Sequence, residues 1–221
     1  KEAVMNSVVS AKVEKFFSQY KARKYHKGHI LILHDDSPEH VFYLVEGRVK
    51  ETDTTYRGDE IILNTFKHPA FFPMSLAINK VANPYTYEAE TDIEVRQAPA
   101  DEVVRFLEQN PDVTFDLLSR VYRGADGLLG RITQLMSGSA KSRLIYELLL
   151  EARRFGTLDE DDLGCSLTII EKDLGAHAGL SRETVNREAA KLKAEGLISV
   201  KRGKIHINDM KKLEQKLGQA I

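Results

Sequence analysis

Residues 168–207 read TIIEKDLGAHAGLSRETVNREAAKLKAEGLISVKRGKIHI, and this stretch decides the fold. Thr168-Ile169-Ile170-Glu171 has the form of a capping box, a Thr N-cap with Glu three residues on. It predicts a short helix over 171–178 with Leu174 and Ala178 facing inward. Gly179 supplies the turn, because glycine takes the left-handed backbone without a Cβ penalty. Leu180 follows as an apolar plug. Ser181 then caps a second helix over 182–195, buried along Val185, Ala189 and Leu192, and Gly196 stands where that helix stops. Two short strands, 197–200 and 204–207, turn at Arg202-Gly203. Helix, tight turn, helix and hairpin together make a winged helix-turn-helix.

In that arrangement the first turns of the second helix enter the major groove of double-stranded DNA. The side chains presented there are Arg182, Glu183, Asn186 and Arg187. Arg pairs with guanine O6 and N7 through two hydrogen bonds, and Glu accepts from cytosine N4. Thr168, Ser181 and Thr184, at helix starts with free N–H groups, suit phosphate contacts. Lys191 on the helix, with Lys201, Arg202 and Lys204 on the hairpin, adds phosphate neutralisation. The bland alternative for Arg182 and Arg187 is a solvated helix face, and the basic hairpin just downstream argues against it. Net charge over the whole chain is −1, so the cations are local. Residues 1–138 carry 17 Lys/Arg against 20 Asp/Glu, and residues 139–221 carry 15 against 13.

Upstream, Ser137-Gly138-Ser139 is a hinge candidate, and residues 140–154 have helical spacing along Leu144, Ile145, Leu148 and Leu149. The strongest helix signal lies over 111–136. Leu118, Ala125 and Ile132 recur every seven residues, as do Val121, Leu128 and Leu135, which is an a/d pattern of about three heptads. Tyr122, Leu129 and Met136 widen the stripe. A dimer seam is the preferred reading, with packing on its own domain as the alternative. Gly124, Gly127 and Gly130 lower helix propensity but allow close backbone approach.

Residues 25–98 have a different texture. Short β-type runs at 30–33, 41–45, 60–63 and 93–95 are separated by turn signals such as Asp35-Asp36-Ser37-Pro38 and Asn83-Pro84. Many short strands at near-regular spacing predict an antiparallel roll, jelly roll or barrel. Helical spacing precedes it over 3–19 and a short helix follows Pro99. The expected class is α+β, in three parts: a β-roll regulatory domain over 1–110, a dimerisation helix and hinge over 111–138, and the winged helix-turn-helix over 139–221.

Ser181-Arg182-Glu183-Thr184-Val185-Asn186-Arg187 closely resembles the recognition-helix motif of the CRP/FNR regulators, the cAMP receptor protein family. Leu174-Gly175, Gly179-Leu180-Ser181 and Gly196-Leu197-Ile198 also resemble it, and the order of parts matches over nearly the whole chain. The resemblance implies a cyclic-nucleotide-binding-like roll and a homodimer that binds a palindromic operator and regulates transcription, with RNA polymerase as a further partner. It makes Arg182, Glu183 and Arg187 the base readers, with a preference for TGTGA-like half-sites. The two recognition helices of such a dimer lie about 34 Å apart, one helical turn of DNA.

The roll departs from the family's cyclic-nucleotide pattern. Those members carry Gly-Glu near the end of the roll, then Arg-Ser or Arg-Thr. Here the region reads Phe71-Phe72-Pro73-Met74-Ser75-Leu76-Ala77, then Asn83-Pro84-Tyr85-Thr86-Tyr87. Neither the acid nor the cation is present, so a cyclic phosphate lacks its charged partner; this argues against cAMP. An iron–sulfur cluster held by four cysteines is excluded by a single Cys165. Seven histidines leave haem open, although no pair of them has ligand spacing. The remaining pocket candidate, Phe72, Met74, Tyr85 and Tyr87, is apolar with two hydroxyls. It either takes a small apolar or aromatic effector or is filled by its own side chains. No cofactor is expected.

Other classes fit less well. A cupin-like metalloenzyme clusters His and Glu on adjacent strands with a His-x-His pair, and the sequence has none. Neither a nucleophile motif nor a phosphate-binding glycine loop occurs. The acidic segment 159–162 lacks the spacing of a calcium loop. No apolar run approaches the ~18 residues of a membrane span, and the start, Lys1-Glu2-Ala3-Val4, has no signal-peptide core. With one cysteine, these features fit a reducing cytoplasmic setting.

Overall fold

Val41–Val45 is apolar without the alternation of a half-buried strand, because the strand it forms is covered on both faces. The computed structural model describes residues 7–37, 39–56, 58–160, 163–169, 171–201 and 204–217. The chain runs through α1 (Ser7–Ser18), β1 (Ala22–Tyr25), β2 (Ile30–Ile32), β3 (His40–Glu46), β4 (Arg48–Thr54), β5 (Glu60–Lys67), β6 (Ala70–Phe72) and α2 (Met74–Asn79). Next come β7 (Thr86–Ala89), β8 (Ile93–Pro99), α3 (Ala100–Gln109), α4 (Pro111–Ser137) and α5 (Ala140–Phe155). Strands β9 (Thr157–Leu158) and β10 (Cys165–Ser166) precede helices α6 (Glu171–Ala178) and α7 (Arg182–Ala194). The last elements are β11 (Ile198–Lys201), β12 (Lys204–Ile207) and α8 (Met210–Leu217). Two compact units divide within α4, between Val121 and Tyr122.

The N-terminal unit is an antiparallel roll of two four-stranded sheets, ordered β1-β8-β3-β6 and β2-β7-β4-β5. Phe42, Leu44, Phe72 and Val95 of the first sheet pack with Ile32, Val49, Tyr87 and Ala89 of the second. The first sheet's other face, Val41, Tyr43, Phe71 and Ala98, meets Val13 and Phe17 of α1, Val103 and Leu107 of α3, and Val113 of α4. Strand β4 escapes an apolar-run reading because its buried positions are partly polar, and β7 because its buried Tyr87 and Ala89 alternate with Thr86 and Glu88. Lys50 of β4 is buried, yet its ammonium bonds both carboxylate oxygens of Glu60 on β5, at 3.0 and 2.9 Å, and lies 3.4 Å from Glu88 on β7. A buried charge is tolerable when paired in this way.

The C-terminal unit packs α5, α6, α7 and α8 with a four-stranded sheet, ordered β11-β12-β10-β9, around a single core that includes Leu144, Leu148, Leu174, Val185, Leu192 and Ile207. The hairpin β11–β12 is the expected wing. The two-residue strands β9 and β10 extend it, and both are too short to leave a periodic signal. The helix spans expected over 111–136, 140–154, 171–178 and 182–195 correspond to α4 to α7. The first helix is described from Ser7 onward. Residues 161–162 of the acidic segment and the turn Arg202-Gly203 lie outside the described residues.

Candidate nucleic-acid interface

Ser181 begins the recognition helix as its side chain accepts the Thr184 N–H at 3.3 Å, and the two hydroxyls lie 3.0 Å apart. This satisfies one of the helix's unpaired donors. The turn before it is tight: Gly179 has φ +61°, and the Leu180 N–H donates to the Gly175 carbonyl at 2.9 Å. Val185, Ala189 and Leu192 are buried in the core. Their spacing turns Ser181, Arg182, Glu183, Asn186 and Arg187 outward, and all five are exposed, with Thr184 half-buried. The structure thus brings the predicted base readers together on one free helix face.

Glu188 has no place in the sequence-level site, yet it organises two of its cations. Its carboxylate is buried, accepts from the Arg187 Nε at 3.2 Å, and takes both oxygens to the Lys191 ammonium at 2.9 and 3.0 Å. The hydrogen bond from Lys191, then that from Arg187, holds it below the usual carboxylate range. Arg187 and Lys191 are therefore oriented within the helix while more than half of each side chain stays exposed. The Glu188–Lys191 spacing of three residues is a readable signal, though the burial of Glu188 is not.

Lys204 is exposed at the turn end of the wing, where Lys201 and Lys204 pair as strand partners. Arg202 and the Lys201 side chain lie outside the described residues. Thr168 is exposed ahead of α6. That helix begins at Glu171, two residues later than a box capped at Thr168 requires, within the usual fraying of helix ends.

Along α4, Leu118, Val121, Tyr122, Leu128, Leu129, Ile132 and Leu135 are each 47–66% exposed, and Ala125 among them is half-buried. A continuous apolar strip of this size marks an interaction surface.

The four residues expected to line an effector pocket do not come together. Phe72, Tyr85 and Tyr87 belong to the roll's interior cluster, but Met74 starts α2 and packs instead with α1 and α3 on the other side of the sheet. The period-2 alternation of β6 explains this: Phe71 and Phe72 face opposite sides, and α2 continues the side of Phe71. The interior itself holds stacked rings, with Phe66–Phe72 centroids 4.8 Å apart and Phe72–Tyr87 5.6 Å apart. Beside them lies a group the sequence reading missed. The Tyr87 hydroxyl donates to Glu51 Oε1 at 2.7 Å, and burial pushes the Glu51 carboxyl upward. A shallow cavity of about 200 Å³ opens at the edge of the same cluster, among Leu31, Ile32, Asp36, Glu39, His40 and Phe42. Among the described residues no three His, Cys, Asp or Glu side chains gather as a metal site, and no helix is long and apolar enough to cross a membrane.

A capped, outward-facing recognition helix beside a wing, preceded by a β-roll and a long apolar-striped helix, defines a two-part DNA-binding transcription regulator. Residues 142–216 match the Crp-like helix-turn-helix domain and residues 22–110 match the cyclic nucleotide-binding domain. The chain belongs to the CRP/FNR family of transcription regulators. It is 28% identical over 182 residues to the global nitrogen regulator of Nostoc sp., covering 78% of each protein. It is 26% identical over 188 residues to the cAMP-activated global transcriptional regulator CRP of Salmonella typhimurium, covering 85% of this chain and 89% of that one. Its fold is similar to that of a CooA mutant from Carboxydothermus hydrogenoformans, with a TM-score of 0.78 at 17% identity over 97% of this chain and 98% of that one.

Proposed function

We propose that this chain reads an inverted-repeat operator as a homodimer. Arg182, Glu183 and Arg187 contact base edges, Asn186 lies beside them, and Thr168, Ser181, Thr184, Lys191, Lys201, Arg202 and Lys204 contact phosphates. The observation that carries this is the capped first turns of α7, with every predicted reader exposed while Val185, Ala189 and Leu192 anchor the opposite face. The α4 strip is the proposed seam. Two copies joined there present two reading heads, as a palindromic operator demands. RNA polymerase is the proposed further partner, in a cytoplasmic setting.

Two modes of control fit a roll of this kind: gating by a small molecule other than cAMP, or DNA binding that needs no effector. The ring stack of Phe66, Phe72 and Tyr87 and the Tyr87–Glu51 bond favour the second, because they occupy the interior that a ligand requires. No cofactor is proposed.

Fluorescence anisotropy of the purified, ligand-free protein tests both points, using a TGTGA-type inverted repeat, the repeat returned by an unbiased DNA selection, and a scrambled control at two salt concentrations. The expected result is repeat-selective binding without any added molecule. Selective binding that appears only with an added small molecule overturns the effector-free mode. A selection that returns no inverted repeat overturns the operator reading.

A further inference from the structure

Two of the three glycines of α4, Gly127 and Gly130, lie on a face that packs against α5 of the chain's own reading head. The Tyr146 hydroxyl of α5 donates to the Gly127 carbonyl at 3.0 Å. Its ring end lies against Gly130, where any Cβ would overlap the hydroxyl. One residue on, Arg131 makes a two-pronged pair with Glu147 of α5, Nε to Oε1 at 2.7 Å and Nη2 to Oε2 at 2.9 Å. The same Nη2 reaches Nδ1 of His177 on α6 at 3.1 Å. Gln134 is buried on this face, and a Cβ placed on Gly179 would lie in van der Waals range of Leu135. Contacts at 127, 130, 131 and 134 follow the i, i+3, i+4, i+7 spacing of one helix face.

The chemistry at the centre is not generic. Glu147 is 4% exposed, and its carboxylate is compensated by a guanidinium in the fork geometry that carboxylates match best. A guanidinium only donates, so His177 Nδ1 accepts and the ring is neutral. Burial, with the nearby Arg131 and Arg154 charges, pushes the His177 pKa down to about 3 and keeps it in that acceptor form. The three residues come from three helices, and α6 is the first helix of the helix-turn-helix.

We propose that Arg131, Glu147 and His177 are positioning residues that clamp the reading head to the C-terminal half of α4, so that the clamp, not the 137–139 linker, sets the recognition helix's orientation. In the dimer proposed above, the exposed strip of α4 faces the partner copy while its glycine face holds the head. Half-site spacing is then set through the clamp.

The test compares wild type with the double variant Arg131→Met/Glu147→Leu, which removes both buried charges together and so leaves neither unpaired. Each is titrated against the operator returned by selection and against operators with one base pair inserted or removed between half-sites. The clamp predicts that the folded, dimeric double variant loses at least tenfold of the spacing discrimination. Unchanged discrimination in a folded dimer overturns it. A second variant, with two glycines inserted after Gly138, leaves the clamp whole; it should keep wild-type spacing discrimination within about threefold, and its loss overturns the proposal even where the double variant fails to fold. Amide hydrogen exchange provides an arm without DNA. In wild type and in the insertion variant, residues 126–136 and 171–178 should share one protection level. Independent exchange of the two segments in wild type overturns the clamp, whereas a selection that finds no operator overturns only the operator reading.

Discussion

At the residue scale, Glu183 and His177 make opposite demands on their surroundings. Glu183 is exposed in the first turn of α7. Replacing it with Ala should leave stability within about 0.5 kcal/mol and relax preference at one operator base pair, a change worth about 1–3 kcal/mol of discrimination. Unchanged preference in a repeated DNA selection would remove Glu183 from the readers. His177 is half-buried and its ring is held neutral, with its pKa pushed down to about 3 by desolvation and two guanidiniums. The unfolded chain takes up this proton near pH 6.5 and the folded chain does not. Stability from this site is therefore fully present above pH 6.5 and falls as the pH drops from there toward 3. By pH 5 the loss reaches about 2 kcal/mol. His177→Gln keeps an acceptor for Arg131 without the titration, so its urea-unfolding free energy should fall about 2 kcal/mol less than wild type between pH 7 and pH 5. Equal losses would show that His177 titrates normally in the fold. The exposed face of α7 was legible in sequence because a Ser N-cap fixes where the helix begins and the apolar stripe fixes which side is free. His177 was not, since the neutral form of its imidazole depends on Arg131, a residue 46 positions away.

At the element scale, legibility followed how directly an element's period appears in its residue types. Helix α4 was readable because its strip is apolar at heptad spacing, and helix α7 because its two faces differ sharply. Strand β4 was not, since Arg48, Lys50, Glu51 and Thr52 sit where a core strand usually carries apolar residues, and the pairing that makes Lys50 tolerable comes from β5 and β7. Strand β6 showed its apolar residues but not its sides, which is why Met74 was grouped with Phe72. The glycines of α4 were visible as weak helix formers, and the Tyr146 contact accounts for Gly127 and Gly130 but not for Gly124. The exposed strip of α4 supports a direct prediction. Ala125→Glu places a carboxylate in the middle of the proposed seam, where a second copy would desolvate it without a partner. The variant should remain folded, because Ala125 is outside all three cores, and should run as a monomer by light scattering with repeat-selective binding lost. An unchanged dimer mass would place the seam on another surface.

At the scale of the whole molecule, the question is what the roll does for the reading head. A roll that takes an effector keeps space for it, and a roll that serves as scaffold closes that space with side chains. Phe72 is the residue on which the two can be tested, being 1% exposed and packed against both Phe66 and Tyr87. Phe72→Ala should cost about 3–5 kcal/mol, the usual price of emptying a core aromatic site. The cavity left behind is lined by rings and aliphatic groups, and a dry apolar cavity of that kind binds small aromatic molecules. Indole or benzene should therefore raise the melting temperature of Phe72→Ala by mass action and leave wild type unmoved. Operator binding by wild type should be equally indifferent to the added aromatic. The opposite pattern, stabilisation of wild type by the aromatic together with a change in operator affinity, would mean that the ring stack opens to admit a ligand. Control would then rest on an apolar effector whose differential affinity for two arrangements of the dimer shifts the balance between them.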